Sequence, residues 1–157
     1  TVVSGPPASG RTTTLEVLAA GLRSTGVRVL SVGADLSPDD LAALLAATGP
    51  TVVLIDDATD LADPSGLLRD LARGRCRPES LRLVVACDPI ERRSAYGHWT
   101  AALRRARSGI ALHHDPEEDG DLWTGPLPPP SAGPRPPGRG LLLSDGAAPA
   151  PVQVAEP

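Results

Sequence analysis

The sequence predicts an α/β fold: a parallel five-stranded sheet between helices, with a C-terminal β-hairpin at one edge. Three observations predict it. Short runs rich in Val, Leu and Ile recur through residues 1–114, continuous rather than alternating, as strands covered on both faces are. Amphipathic helical patterns lie between them. Beyond residue 114 the composition turns acidic, then Pro-rich, then returns to two short apolar runs around Asp145-Gly146.

The strand runs are Thr1–Ser4, Val27–Val32, Thr51–Ile55, Leu81–Cys87 and Gly109–His114. Leu15, Leu18, Ala19 and Leu22 keep helical spacing after the first run, and Leu41, Leu44 and Leu45 do so after the second. Ala95, Trp99, Ala102, Leu103 and Ala106 predict a further helix before the fifth run. Ser37-Pro38-Asp39-Asp40, Asp63-Pro64 and Asp88-Pro89 each offer a capping side chain followed by a proline suited to the first helical position. Gly26, Gly49, Gly74 and Gly109 are placed where helices should stop. The β-α alternation implies right-handed crossovers with helices on both faces of the sheet. Leu141-Leu142-Leu143 and Val152-Gln153-Val154 then read as the hairpin, with a loop longer than two residues. The chain is thus read as a single domain over 1–157. Residues 1–114 form its core, 115–140 an acidic and Pro-rich connector, and 141–157 an edge hairpin.

With 157 residues, 41% hydrophobic, 22% charged and a net charge of −4, the balance is that of a globular domain. All 15 basic residues are Arg. A Lys-based catalyst, a Lys Schiff base and an unaltered phosphate-binding lysine are therefore excluded. An acidic chain is a poor DNA binder on its own, because neutralising phosphates needs surplus positive charge. No apolar run approaches a membrane span, so no membrane insertion is expected. The opening on Thr1, without Met or signal-peptide features, suggests a piece of a longer multi-domain chain. Cys76 and Cys87 lack metal-ligand spacing and read as small buried hydrophobes in a cytoplasmic protein. His98, His113 and His114 lack it too, and Trp99 and Trp123 read as packing residues.

The first strand runs into Gly5-Pro6-Pro7-Ala8-Ser9-Gly10-Arg11-Thr12-Thr13. This matches the phosphate-binding P-loop pattern G-x-x-x-x-G-K-[ST], except that Arg11 stands where Lys belongs. The glycines let the backbone curl so that successive N–H groups point into one concavity, and the helix that starts there favours an anion. Thr12 would place a hydroxyl on Mg²⁺. The alternative is a glycine-rich strand–helix turn that holds no ligand. Arg11 keeps the charge but not the shape: a planar fork replaces a slender ammonium. It could block the γ-phosphate position, or swing out and pair with Asp56 or Asp57.

Thr51–Ile55 ends in Asp56-Asp57, as a Walker B strand does. The first carboxylate would support Mg²⁺. The second, Asp57, would be the catalytic base, and it is one methylene shorter than the usual Glu. A displacement of ~1 Å can cost about a hundredfold in rate. The plainer alternative is that Asp56 and Asp57 cap the following loop. The extra βα unit between the two motifs resembles the RecA/AAA-like branch of P-loop NTPases. That resemblance implies that the Leu81–Cys87 strand lies between the two motif strands, with Asp88 facing the phosphate site. The alternative reading of Asp88, as the N-cap before Pro89, is the favoured one.

Together with Trp99–Arg107, Ser108–Leu112, Asp119-Gly120-Asp121-Leu122 and Gly138-Arg139-Gly140-Leu141-Leu142, these motifs resemble the last, degenerate ATPase module of actinobacterial FtsK/SpoIIIE-family proteins, of which the type VII secretion ATPase EccC is the best-known relative. The resemblance implies ATP and Mg as cofactors. It also implies assembly with neighbouring ATPase modules of the same chain and of adjacent subunits, and docking of a secreted substrate's signal peptide. The location it implies is the cytoplasmic side of a membrane, with tethering through the rest of the chain. Arg11 and Asp57 depart from an active motor and favour a regulatory or docking role with weak or no hydrolysis. One alternative is an active DNA translocase or secretion motor, with Arg104, Arg105 or Arg107 serving an adjacent subunit. The other is a small-molecule kinase, against which the shortage of arginines in 124–140 speaks.

Overall fold

A computed structural model of the chain describes residues 1–33, 49–63, 65–75, 81–130 and 132–155. The helix expected around Leu41–Leu45, its Ser37-Pro38 start and Cys76 lie outside them. Seven strands form one sheet: β1 Val2–Ser4, β2 Arg28–Val32, β3 Thr51–Ile55, β4 Leu81–Cys87, β5 Gly109–Leu112, β6 Arg139–Leu143 and β7 Ala150–Gln153. Their spatial order is β2-β3-β4-β1-β5-β6-β7. The first five are parallel and the last two antiparallel. This is the predicted sheet with its edge hairpin, and β4 does lie between β3 and β1.

The apolar runs need no alternation because both faces are covered. On one face Val3, Val52, Leu54, Val84, Ala86, Ile110 and Leu112 pack under Leu15 and Ala19 of helix α1 (Arg11–Ser24). On the other, Val2, Val53, Ile55, Val85 and Ala111 meet Leu68 of helix α2 (Leu67–Ala72), together with Trp99, Leu103, Leu122 and Trp123. Helix α3 (Pro89–Ser94) starts at Asp88 and Pro89 as expected, and a short helix α4 (Pro116–Asp119) follows β5.

The structure corrects several expectations. No helix spans 95–106. Helix α3 ends at Ser94, and a single 3₁₀ turn covers Trp99–Ala102, capped by His98. The apolar spacing reflects burial of Trp99 and Leu103, not a continuous helix. The indole Nε1 of Trp99 donates to the Leu61 carbonyl at 2.7 Å, and His98 Nε2 sits 2.9 Å from the same oxygen, so tertiary bonds hold this segment. Gly109 does not stop a helix. It opens β5 so close to β1 that a Cβ there would collide with the Val2 carbonyl. Strand β5 ends at Leu112, short of the predicted His114, because His113 turns to φ +46°. Asp63 caps α2, accepting from the Leu68 and Arg69 amides, but that helix begins only at Leu67. Among the described residues no helix is long and apolar enough to cross a membrane.

Candidate nucleotide site

The carboxyl ends of β1, β3 and β4 place every predicted site residue on one edge of the sheet. After Ser4 the chain leaves the sheet with Gly5 N donating to the Cys87 carbonyl at 3.3 Å. Pro6-Pro7-Ala8-Ser9 then forms a turn closed by Ser9 N on Pro6 O, with Ala8 at φ +61°. Gly10 follows at φ +95°, and the first helical bond runs from Thr14 N to Gly10 O at 2.9 Å. The amides of Arg11, Thr12 and Thr13 have no partner among the described residues. They are the orphan donors that a helix start presents to an anion.

Thr12 Oγ1 donates to Asp56 Oδ2 at 2.7 Å. Arg11 chooses Asp57 over Asp56. Its Nη2 donates to Asp57 Oδ1 at 2.6 Å, and its Nη1 donates to the Gly5 carbonyl at 2.9 Å. The guanidinium thus bridges the start of the loop and the end of β3. Asp88 is the N-cap before Pro89, the favoured reading, and its second oxygen faces Arg11. Its Oδ1 caps α3 through the Ile90 and Glu91 amides, while Oδ2 faces Arg11 Nη1 at 3.9 Å. Arg11 is 12% exposed at its side chain, Asp57 55% and Asp88 5%. The buried Asp88 carboxylate therefore has the Arg11 guanidinium beside it.

Two supports of the loop were not read from the sequence. The Ser4 hydroxyl, buried directly before the loop, donates to Asp119 Oδ1 at 2.7 Å, and Asp119 Oδ2 accepts the Asp115 amide. Burial holds the Asp119 carboxyl above its ordinary range, against these hydrogen bonds and the nearby His114. On the other side Gly138 N donates to Ser9 O at 2.7 Å, and Gly138 lies so close to Gly10 that a Cβ on Gly10 would come within 2.7 Å of it. Buried Arg92 pairs with Asp121. The sequence signal was the Asp119-Gly120-Asp121-Leu122 piece, whose two carboxylates and buried Leu122 all have structural duties. The Ser9 hydroxyl is buried without a partner among the described residues. The Cys87 thiol, also buried, is pushed up to about 12 by desolvation and is inert.

Other candidates lie elsewhere. Arg104, Arg105 and Arg107 surround a groove at the amino ends of the strands, opposite the loop. His113 Nε2 and His114 Nε2 meet the carbonyls of Pro136 and Pro128 in the Pro-rich connector.

No protein-family model matches the chain, and no curated protein matches it by sequence. Solved structures do. Thermomonospora curvata EccC, ATPases 2 and 3 in complex with a signal sequence peptide, is 18% identical at TM-score 0.70, covering 99% of this chain and 36% of that one. The cytoplasmic domain of the type VII secretion ATPase EccC from the same organism is 19% identical at TM-score 0.69, with 99% and 23% covered. EssC, ATPases 2 and 3 from Geobacillus thermodenitrificans, is 14% identical at TM-score 0.70, with 99% and 36% covered. The chain has the fold of these secretion ATPase domains and spans about a third or less of their length.

Proposed function

We propose that the chain is a degenerate nucleotide-site module of an FtsK/SpoIIIE-type ATPase, similar to those of type VII secretion. It binds ATP weakly, hydrolyses it little or not at all, and acts in assembly, regulation or substrate docking. One observation carries this reading: Arg11, in the lysine position, is tied to Asp57 and the Gly5 carbonyl. The residues present still fit a nucleotide with Mg²⁺. The unpartnered amides of Arg11, Thr12 and Thr13 suit a phosphate chain, and the Thr12 hydroxyl beside Asp56 suits the metal. Gly5 to Thr13 would cradle the phosphates. When bound, the metal would neutralise charge on the phosphate oxygens.

The chain's own residues limit the chemistry. A guanidinium engaged with Asp57 must release it before it can serve a phosphate. Asp57 is both shorter than a glutamate and occupied by Arg11, so it is a poor base for water. The intact Thr12–Asp56 pair is what an active motor would also need, and it is the one feature that favours the second reading, a working translocase or secretion motor.

The fold likeness supports, as partners in this reading, neighbouring ATPase modules of the same chain, adjacent subunits and a secreted substrate's signal peptide, on the cytoplasmic side of a membrane. Calorimetric titration with ATP and Mg²⁺, with released phosphate read by malachite green, tests the proposal. Weak saturable binding with negligible turnover is expected. Turnover near about one per second, at the low end of ordinary enzymes, overturns it.

A further inference from the structure

At the amino ends of β1, β4 and β5, on the edge of the sheet away from the phosphate loop, lies a groove of about 500 Å³. That is within the range of ligand pockets, about 300–1,000 Å³. Its floor is the open end of the core: Leu71, Ala72 and Leu83, half-buried, beside Leu103. Its rim carries four exposed arginines, Arg73, Arg104, Arg105 and Arg107. Only Arg107 has a carboxylate in reach, Asp145 at 3.5 Å; Arg73, Arg104 and Arg105 have none among the described residues. In a chain of net charge −4, collecting four guanidinium groups around one concavity opposes their mutual repulsion. Arg105 is moreover held at φ +53°, a conformation that costs a non-glycine residue energy.

The geometry points to a docking groove for an acidic peptide segment of a partner protein, with an aliphatic side chain of that segment seated on the floor of Leu71, Ala72 and Leu83 and its carboxylates on the arginine rim. Charge decides the sign of the partner. The floor decides its class. Among the described residues no aromatic side chain lines the groove to stack on nucleobases, whereas aliphatic surface suits a peptide side chain. The groove adds a binding surface to the nucleotide-site reading without resting on it, so either can fail alone.

Fluorescence anisotropy on the full chain tests this. The probe is a fluorescein-labelled peptide of about ten residues, Asp and Glu broken by leucines. Its controls are the same peptide with Asn and Gln for the acids, the same peptide with Ser for the leucines, and a single-stranded oligonucleotide. Saturable binding of the acidic, leucine-containing peptide is expected. Each of Arg73→Ala and Arg104→Ala should weaken it about two- to fivefold, as loss of an exposed ion pair does. Both residues are exposed, so a thermal melt should be unchanged. Replacing the leucines should weaken binding as well. The proposal is overturned by no binding, by equal binding of the Asn/Gln control, by arginine variants that bind as the native chain does, or by stronger binding of the oligonucleotide.

Discussion

Replacing Asp57 by Asn tests whether charge holds Arg11 away from phosphate duty. Arg11 Nη2 donates to Asp57 Oδ1 at 2.6 Å while Nη1 stays on the Gly5 carbonyl. Asn keeps an oxygen in place and removes the charge. It also tolerates the φ of +40° found at Asp57, so the backbone does not resist the exchange. Because Asp57 is 55% exposed at its side chain, solvent screens the pair, and it contributes about 0.2–1 kcal/mol, not the several kcal/mol of a buried one. Relieving it should free the guanidinium by a factor of about 1.5–5. Loss of a carboxylate near the loop also lowers repulsion of an anion. Calorimetry with ATP and Mg²⁺ should therefore show affinity about two- to fivefold tighter than native, with no gain in phosphate release, since an amide cannot act as the base. The melting temperature should fall by no more than about 2–4 °C. Affinity that is unchanged or weaker in a folded Asp57→Asn chain refutes the reasoning.

Gly10→Ala would force a side chain into φ +95° and against the Gly138 amide, and should cost about 2–4 kcal/mol in urea unfolding; a loss below about 0.5 kcal/mol contradicts the tight approach. Ser4→Ala strips a buried carboxylate of one donor and should cost about 1–3 kcal/mol by the same measurement, with no loss expected only if the Ser4–Asp119 bond is unimportant. Asp119 predicts a pH effect. Its carboxyl is held above 3.8 by burial, so the folded chain keeps that proton when the unfolded chain has released it. This group's contribution is fully present below about 3.8 and falls as pH rises through the raised value. Native melts followed from about pH 3.5 to 7 should lose more stability than Asp119→Asn melts do; equal losses would remove the assignment.

What the sequence revealed depended on locality. Thr51–Ile55 and Leu81–Cys87 were readable to the residue, because strands buried on both faces leave long apolar runs with sharp ends. The loop was readable because its glycines, Arg11 and Thr12 are adjacent, and pairing of Arg11 with a β3 carboxylate was one of the two placements its charge allowed. Which carboxylate was not legible: the choice of Asp57 depends on its left-handed backbone and on where β4 sets Asp88. The segment 95–106 misled because helical spacing records only which residues face inward. Trp99 and Leu103 do so from a 3₁₀ turn held by the Leu61 carbonyl. The Ser4–Asp119 and Ser9–Gly138 bonds join residues far apart in the chain, and nothing local announces either one.

The middle position of the shortest strand has a consequence for biosynthesis. Val2 of β1 takes Val85 on one side and Gly109 on the other. A ribosome adding about 5–20 residues each second needs roughly 5–20 s after making Val2 before Gly109 exists. During that interval β2, β3 and β4 can already zip together and β1 can join β4, while the side of β1 that faces β5 waits unpaired. The loop after β1 is thus made well before the Gly138 amide that holds Ser9, and it completes its shape late relative to its own synthesis.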